Sequence, residues 1–277
     1  MKNLKKITAL LLAMLLIFSF AACGSKPAQA EGEAPMTKVE QIKAAGKLVV
    51  GTSADYPPYE FHTEINGKDE IVGFDMAFAQ YIADDLGVEL EIVDMGFDSL
   101  LISLQKGDFD IVLAGLTPSE ERKQVVDFTD SFYTNKQIVI IRTEDADKYK
   151  TTADIADCVG GYQSGTVQEQ IAHNYLADAN CIGLVKFNDL IMQLKSGSLD
   201  CVFTNKLVGS AFASGNADLI VQDIDIEWDA SGFAAAIQKG NEDFVEYVNG
   251  LVATVTSDGT MDKFVDEANE LAGSSEE

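Results

Sequence analysis

Phe97-Asp98-Ser99-Leu100-Leu101-Ile102-Ser103-Leu104 returns 90 residues later as Phe187-Asn188-Asp189-Leu190-Ile191-Met192-Gln193-Leu194. The register continues, with Gly107, Asp110 and Val112 over Gly197, Asp200 and Val202. In each copy the apolar residues fall at helical spacing, Asp98 or Asn188 stands at the start as the expected N-cap, and a Gly closes the end. That pattern predicts a capped amphipathic helix. A short apolar strand follows each copy, over residues 109–113 and 199–203. One helix–glycine–strand unit is commonplace, but two in register predict two lobes of related build.

Each lobe also opens on an apolar strand that runs into a polar turn: 47–51 into Thr52-Ser53-Ala54-Asp55-Tyr56, and 158–161 into Tyr162-Gln163-Ser164-Gly165-Thr166. Strands alternating with helices predict βαβ units, so the fold class is α/β with a mostly parallel sheet flanked by helices in each lobe. In such sheets ligands bind beyond the carboxyl ends of the strands. The chemistry is therefore expected at 53–56, 114–117, 164–167 and 204–205, all facing one cleft. A strand over 233–237, a long helix over 241–256, a Ser257-Asp258-Gly259-Thr260 turn and a last helix to about 271 are expected to complete the first lobe.

The N-terminus has the layout of an export signal. Lys2, Lys5 and Lys6 precede an apolar run over 7–20, which ends at Ala21, Ala22 and Cys23. The run is short for a bilayer span of ~20 residues; the alternative is an uncleaved anchor helix. Phe20-Ala21-Ala22-Cys23-Gly24 resembles the lipobox of bacterial lipoproteins, with Phe20 in place of the usual Leu. It implies that Cys23 becomes a lipidated first residue after removal of 1–22. Residues 23–36, rich in Ala, Glu, Gly and Pro, read as a flexible tether. Nothing downstream is long and apolar enough to span a membrane.

Removing residues 1–22 deletes three Lys and no acid, taking the formal charge from −25 to −28 over 255 residues. Such a chain is not built for nucleic acid, whose phosphates require Lys and Arg, nor for docking on an anionic membrane face. A hydrophobic fraction of 47% suffices for one or two substantial cores. Apart from Cys23 the cysteines are Cys158, Cys181 and Cys201, an odd number at spacings that match no metal motif. They read as buried thiols, although an oxidising compartment would permit one disulfide among them.

Thr117-Pro118-Ser119-Glu120-Glu121-Arg122 is the most informative stretch for chemistry. Thr117 suits an N-cap, Pro118 the first helical position and Glu120 a capping box, so a helix is expected to begin there. Its unpaired N–H groups favour an anion. Arg122 either folds its guanidinium back onto that anion or pairs with a nearby acid on the surface. Gly165-Thr166-Val167-Gln168 repeats the arrangement, with Thr166 expected to cap a helix over 167–177. Two helix starts and one Arg on one cleft describe a carboxylate site, while plain capping by Thr166 would need no ligand.

Asp55-Tyr56-Pro57-Pro58-Tyr59-Glu60-Phe61, Gly73-Phe74-Asp75, Phe97-Asp98, the stretch from Ala114 to Arg122, and Asp258-Gly259-Thr260 together resemble the polar amino-acid-binding proteins (family 3 solute-binding proteins) of ATP-driven ABC importers. The motifs occur in family order from about Lys47 to the last helix. The resemblance implies a two-lobe, periplasmic-binding-protein-like (type II) fold, with lobe 1 over 37–133 plus 232–273 and lobe 2 over 136–230. Crossovers near 133–136 and 230–234 would act as the hinge. It implies that Arg122 clamps a ligand α-carboxylate with Thr117, Thr166 and Val167, and that the Gly115 carbonyl accepts from the α-ammonium. Tyr56 and Phe97 would sandwich the ligand side chain, or else pack as ordinary core, and Ser53 and Gln163 would line its pocket. Asn205 stands where the family usually carries an acid for the ammonium; it can accept a hydrogen bond but supplies no countercharge, leaving Asp55 as the nearest compensating acid. With Asp55 the single acid in reach and no second base, the expected side chain is neutral and polar.

The implied function is capture of a zwitterionic amino acid by hinge closure and delivery to the membrane permease subunits. The protein is expected to be an extracytoplasmic monomer held by lipid at the outer face of the cell membrane. No cofactor, metal or nucleic acid is expected. A dehydratase-like enzyme on the same scaffold is one alternative, but its candidate bases His62 and His173 lie at no strand end facing the cleft. A ligand-sensing module is the other, and would call for a further membrane span and signalling domain.

Overall fold

The computed structural model describes residues 35–228 and 232–274. The expected export signal, Cys23 and nearly all of the tether fall outside these, as do residues 229–231, which include the start of the second expected crossover. The chain begins with α1 (Lys38–Ala45), β1 (Lys47–Thr52) and a small antiparallel sheet of β2 (Asp55–Tyr56), β3 (Glu60–Ile65) and β4 (Lys68–Val72). Then come α2 (Phe74–Leu86), β5 (Glu89–Asp94), α3 (Phe97–Lys106), β6 (Ile111–Val112), α4 (Glu120–Val125) and β7 (Val126–Phe128). A second group follows: β8 (Gln137–Arg142), α5 (Thr152–Ile155), β9 (Gly160–Gln163), α6 (Val167–Tyr175), β10 (Cys181–Leu184), α7 (Phe187–Ser196), β11 (Cys201–Asn205), α8 (Lys206–Gly215) and β12 (Leu219–Gln222). The chain ends with β13 (Ala236–Gln238), α9 (Glu242–Ser257) and α10 (Thr260–Ser274).

Two five-stranded sheets carry the lobes, in the orders β5-β1-β6-β13-β7 and β10-β9-β11-β8-β12. The first three strands of each are parallel, paired as Val50↔Ile111 in one sheet and Cys201↔Gly160 in the other. The fourth strand, β13 or β8, runs antiparallel to both neighbours. In both sheets this reversed strand is the first one laid down after the chain changes sheets. The sheets thus share one topology, and each is mostly parallel.

The repeat forms helices α3 and α7, which bury Leu100 and Leu104 in one and Leu190, Ile191 and Leu194 in the other. Both end on left-handed glycines, Gly107 and Gly197. Their starts differ from expectation: Asp98 and Asn188 lie inside the first turn, and the N-caps are Gly96 and Lys186, neither with a side-chain bond. The reason is packing, because Phe97 and Phe187 are drawn into the helix and buried. Strands expected over 109–113, 199–203 and 158–161 start later than the apolar runs do, at Ile111, Cys201 and Gly160. Cys158 and Cys201 are buried, Cys181 is half-buried, and all three are free thiols whose pKa burial raises. Among the described residues no helix is long and apolar enough to cross a membrane.

The two crossings between the sheets run side by side. Phe233 N–H donates to Tyr133 O (2.7 Å), and Phe132 N–H donates to Phe233 O (3.0 Å). The expected helices near the C-terminus are present as α9 and α10, and the expected strand over 233–237 narrows to Ala236–Gln238.

Candidate functional site

Between the lobes lies a nearly closed cavity of about 10 Å³, lined by Tyr56, Glu60, Phe97, Ala114, Gly115, Thr117, Arg122, Gln163, Thr166, Val167 and Gln168. That is at the limit of the room one water needs and far below the ~300–1,000 Å³ of small-molecule sites, so a ligand can enter only when the lobes part. At Arg122, Thr166 and Val167 it adjoins a broader outer groove that also includes Ile102, Val125 and His173. The lining comes from the turns beyond β1, β6 and β9, where a parallel sheet leaves its strand ends open to a ligand.

Arg122 is positioned differently from the expected cap geometry. Helix α4 starts at Glu120, and its N-cap is Ser119, whose hydroxyl accepts from Arg122 N–H at 3.2 Å. Thr117 and Pro118 precede the helix, because Ser119 has the extended backbone (φ −125°, ψ 158°) that a cap requires. Thr117 instead offers its carbonyl, which accepts from Arg122 Nη1 at 2.6 Å. Arg122 Nη2 donates across the cleft to Gly165 O at 2.8 Å. The guanidinium also sits over the Phe97 ring, 5.4 Å from its centroid, a cation–π contact. Burial brings the Arg122 pKa down to about 10, leaving it charged at neutral pH.

Gly165 is held at φ +79°, and a Cβ there would lie 3.2 Å from Asp98 Cα on the facing lobe. A side chain at this position would meet the backbone of α3 as the lobes approach. Thr166 is the backbone N-cap of α6, but its hydroxyl donates to Gln163 O (2.6 Å) rather than accepting from the helix. The first turn of α6 therefore lacks a side-chain cap, and Thr166, Val167 and Gln168 line the cavity there. That arrangement, beside Arg122, suits a carboxylate.

Ser53 and Asn205 are buried but do not line the cavity. Ser53 donates to Asp55 Oδ1 at 3.3 Å. Asn205 caps α8, its Oδ1 accepting from Val208 N–H (3.1 Å) and from Asn135 Nδ2 (3.2 Å). Its amide donates to Tyr56 Oη at 3.0 Å, and that phenol is also paired with Thr204 Oγ1 at 2.9 Å. Asn205 thus holds Tyr56 in place across the cleft. Asp55 likewise faces the second lobe, accepting from Phe187 N–H (2.7 Å) and Gln163 Nε2 (3.2 Å).

Glu60, Ala114 and Gln168 line the cavity without having been singled out from the sequence. Glu60 matters most. It is 1% exposed, and its Oε2 has no hydrogen-bond donor. Behind it lies Asp75, fully buried, whose Oδ2 accepts from Gly115 N–H at 2.8 Å while Oδ1 has no donor. Burial, then repulsion from Asp75, pushes the Glu60 pKa well above the carboxylate range. Gly73 allows the two to meet: at φ +127°, a Cβ there would lie 2.0 Å from Tyr59 O. This close approach lets Asp75 N–H donate to Tyr59 O (3.0 Å), bringing the start of α2 against the start of β3. Both acids stood in quoted motifs, Asp55-to-Phe61 and Gly73-Phe74-Asp75, so the signal was a buried acid inside an apolar motif. His62 is half-exposed and paired with Asp69 (2.9 Å), and His173 lies in the outer groove, paired with Asp178 (2.8 Å).

Comparison with known proteins agrees with this architecture. Over 270 residues the chain is 30% identical to the arginine-binding extracellular protein ArtP of Bacillus subtilis (strain 168), covering 94% of this chain and 96% of that one. The structure of an amino acid ABC transporter substrate-binding protein from Streptococcus pneumoniae bound to L-arginine superposes with a TM-score of 0.83 at 36% identity, covering 85% of this chain and 99% of that one. The ancestral amino acid-binding protein AncCDT-1, a precursor of cyclohexadienyl dehydratase, superposes with a TM-score of 0.75 at 31% identity, covering 83% and 99%. The two-lobe fold and a substrate-binding role in amino-acid transport follow. Residues 48–268 match the family model, and the chain belongs to the bacterial extracellular solute-binding proteins, family 3.

Proposed function

We propose that this protein captures an amino acid with a cationic side chain, arginine first, for an ABC importer. The observation that carries this reading is Glu60, a buried carboxyl without a donor, in the same cavity as Arg122. Arg122 and the uncapped start of α6 bind the α-carboxylate, and Glu60 with Asp75 behind it offers charge to the far end of the ligand. The expectation of a neutral side chain counted Asp55 alone, and Asp55 is occupied by Phe187 N–H and Gln163. Arginine is what the compared Bacillus and Streptococcus proteins are named for or bound to.

Lobe 1 comprises 37–133 plus 232–273 and lobe 2 comprises 136–230, and the composition of the two sheets supports this division. Closure about the paired crossings at Tyr133 and Phe233 completes the site, and the closed monomer is what the permease subunits receive. Lipid on Cys23 holds it at the outer face of the membrane. The resemblance to AncCDT-1 favours one second reading, a dehydratase-type enzyme with Glu60 as its acid. Binding without turnover is preferred, since neither His62 nor His173 lines the cavity.

A thermal-shift screen tests the ligand class, because a ligand bound only by the native state raises its apparent stability. Arginine, lysine and ornithine should raise the Tm, with citrulline and glutamine giving smaller shifts. A larger shift with a neutral amino acid would overturn the reading, and consumption of the bound ligand would favour the enzyme.

A further inference from the structure

Glu60 and Asp75 come from different elements, the start of β3 and the first turn of α2, and lie close enough that the Asp75 charge raises the Glu60 pKa. With both ionised, Glu60 Oε2 and Asp75 Oδ1 are each without a donor in a site closed to water. Buried polar atoms in native proteins are satisfied in the great majority of cases. One proton placed between the two carboxyls supplies the missing donor and removes one of two adjacent buried negative charges, the usual outcome for such a pair.

The surroundings supply no cation to replace that proton. Facing Glu60 are Asp55 on β2 and Asp94 on β5, both acids, and Tyr56 and Tyr59, both phenols whose pKa burial raises. Asp75 meets Glu60 and the Gly115 N–H, and Tyr133 lies behind Tyr59. The basic group of the cavity, Arg122, is bonded to Thr117 O and Gly165 O. A cation entering the cavity can therefore replace the proton charge for charge.

We propose that Glu60 and Asp75 share one proton before the ligand binds, and that a ligand with a cationic side chain expels it, so that binding exchanges a proton for a cation. The balance is simple. The singly protonated pair carries one negative charge; on binding, its proton passes to solvent buffer and the resulting dianion faces the ligand's positive charge. The net charge of the cavity floor is the same before and after. A neutral isostere has no charge to exchange and leaves the proton in place. The inference rests on the cationic-ligand reading above.

The test is calorimetric titration of the full mature chain with L-arginine and with L-citrulline, at one pH near 6, in buffers of different protonation enthalpy. The slope of the observed enthalpy against buffer enthalpy counts protons released. The expected result is about one proton per arginine and about none per citrulline, with arginine affinity rising up to about tenfold per unit increase in pH until the pH reaches the pair's upper ionisation. Glu60→Gln should abolish the arginine slope; a circular-dichroism spectrum and cooperative melt establish that the variant is folded, and the wild-type slopes alone test the proposal if it is not. Arginine binding without proton release overturns the exchange and leaves the cationic-ligand reading standing. Failure of arginine to bind, with a neutral amino acid binding instead, overturns both.

Discussion

Arg122 Nη2 donates to the carbonyl of Gly165 at 2.8 Å, so the cation of one lobe is bonded to the backbone of the other. Its other terminal nitrogen donates to Thr117 O at 2.6 Å. One guanidinium thereby links the turn after β6 to the turn after β9, the two places where the ligand carboxylate is expected. Charge-assisted hydrogen bonds of this kind contribute about 1.5–3 kcal/mol each.

Arg122→Ala is accordingly expected to weaken binding of the preferred amino acid by on the order of 100-fold or more, given about 1.4 kcal/mol per factor of ten. Arg122→Lys should recover part of the loss, since an ammonium cannot reproduce the two-pronged geometry. Isothermal titration of both variants measures this, and full affinity in the alanine variant rules out the carboxylate clamp.

Asp55 bridges the lobes on another side. Helix α7 has no side-chain cap of its own, and the acceptor for Phe187 N–H is the Asp55 carboxylate of the facing lobe, at 2.7 Å. Asp55→Ala removes that acceptor and should shift the population toward the open form. Small-angle scattering should give a larger radius of gyration than wild type, with ligand affinity lower by about tenfold, because only the competent fraction binds. Identical scattering and affinity would show that Asp55 has no part in closure.

The buried carboxyl pair also fixes a pH dependence of stability. Burial pushes Asp75 up to about 7 and Glu60 well above its ordinary value, against about 4 for both when unfolded. The folded state therefore holds more protons than the unfolded state between about pH 4 and 7, and stability falls as pH rises through that window. The pair's contribution is complete below pH 4 and lost above the folded-state values. Comparing wild type with the Glu60→Gln, Asp75→Asn double variant isolates this from general charge repulsion. The Tm difference in favour of wild type should shrink by several degrees from pH 5 to pH 8, at roughly 2–4 °C per kcal/mol; a constant difference would mean that neither carboxyl titrates.

Cys23→Ala addresses the anchor. The wild-type chain expressed in a bacterial host should partition with membranes, and the variant should appear in the soluble extracytoplasmic fraction with its ligand-induced Tm shift intact. Retention of the variant on membranes would point to an uncleaved N-terminal helix.

Much of the architecture was legible because it repeats. The matched stretches at Phe97 and Phe187 named two related lobes, and their glycines marked where each helix ends. The capping signals were less reliable, since Thr117, Asp98 and Asn188 all have the right chemistry and none is the cap. A cap is chosen by which residue the packing leaves extended, and burial of Phe97 and Phe187 moved both helix starts. Arg122 and Gly165 were legible as residues of one cleft, through helix starts at two strand ends, and the structure joins them directly.

Glu60, Asp75, Ser53 and Asn205 were not legible in role. By itself the sequence determined the two-lobe α/β build, the strongly acidic composition and the placing of Arg122 and Thr166 on one cleft, because these follow from local periodicity, composition and strand–helix order. The tertiary structure decided the other end. It took Asn205 away to cap α8 and hold Tyr56, committed Asp55 to the opposite lobe, and brought Glu60 and Asp75 together through the close approach at Gly73. Whether an acid faces a ligand, a helix start or another acid depends on chain segments distant in sequence, and burial then sets its charge.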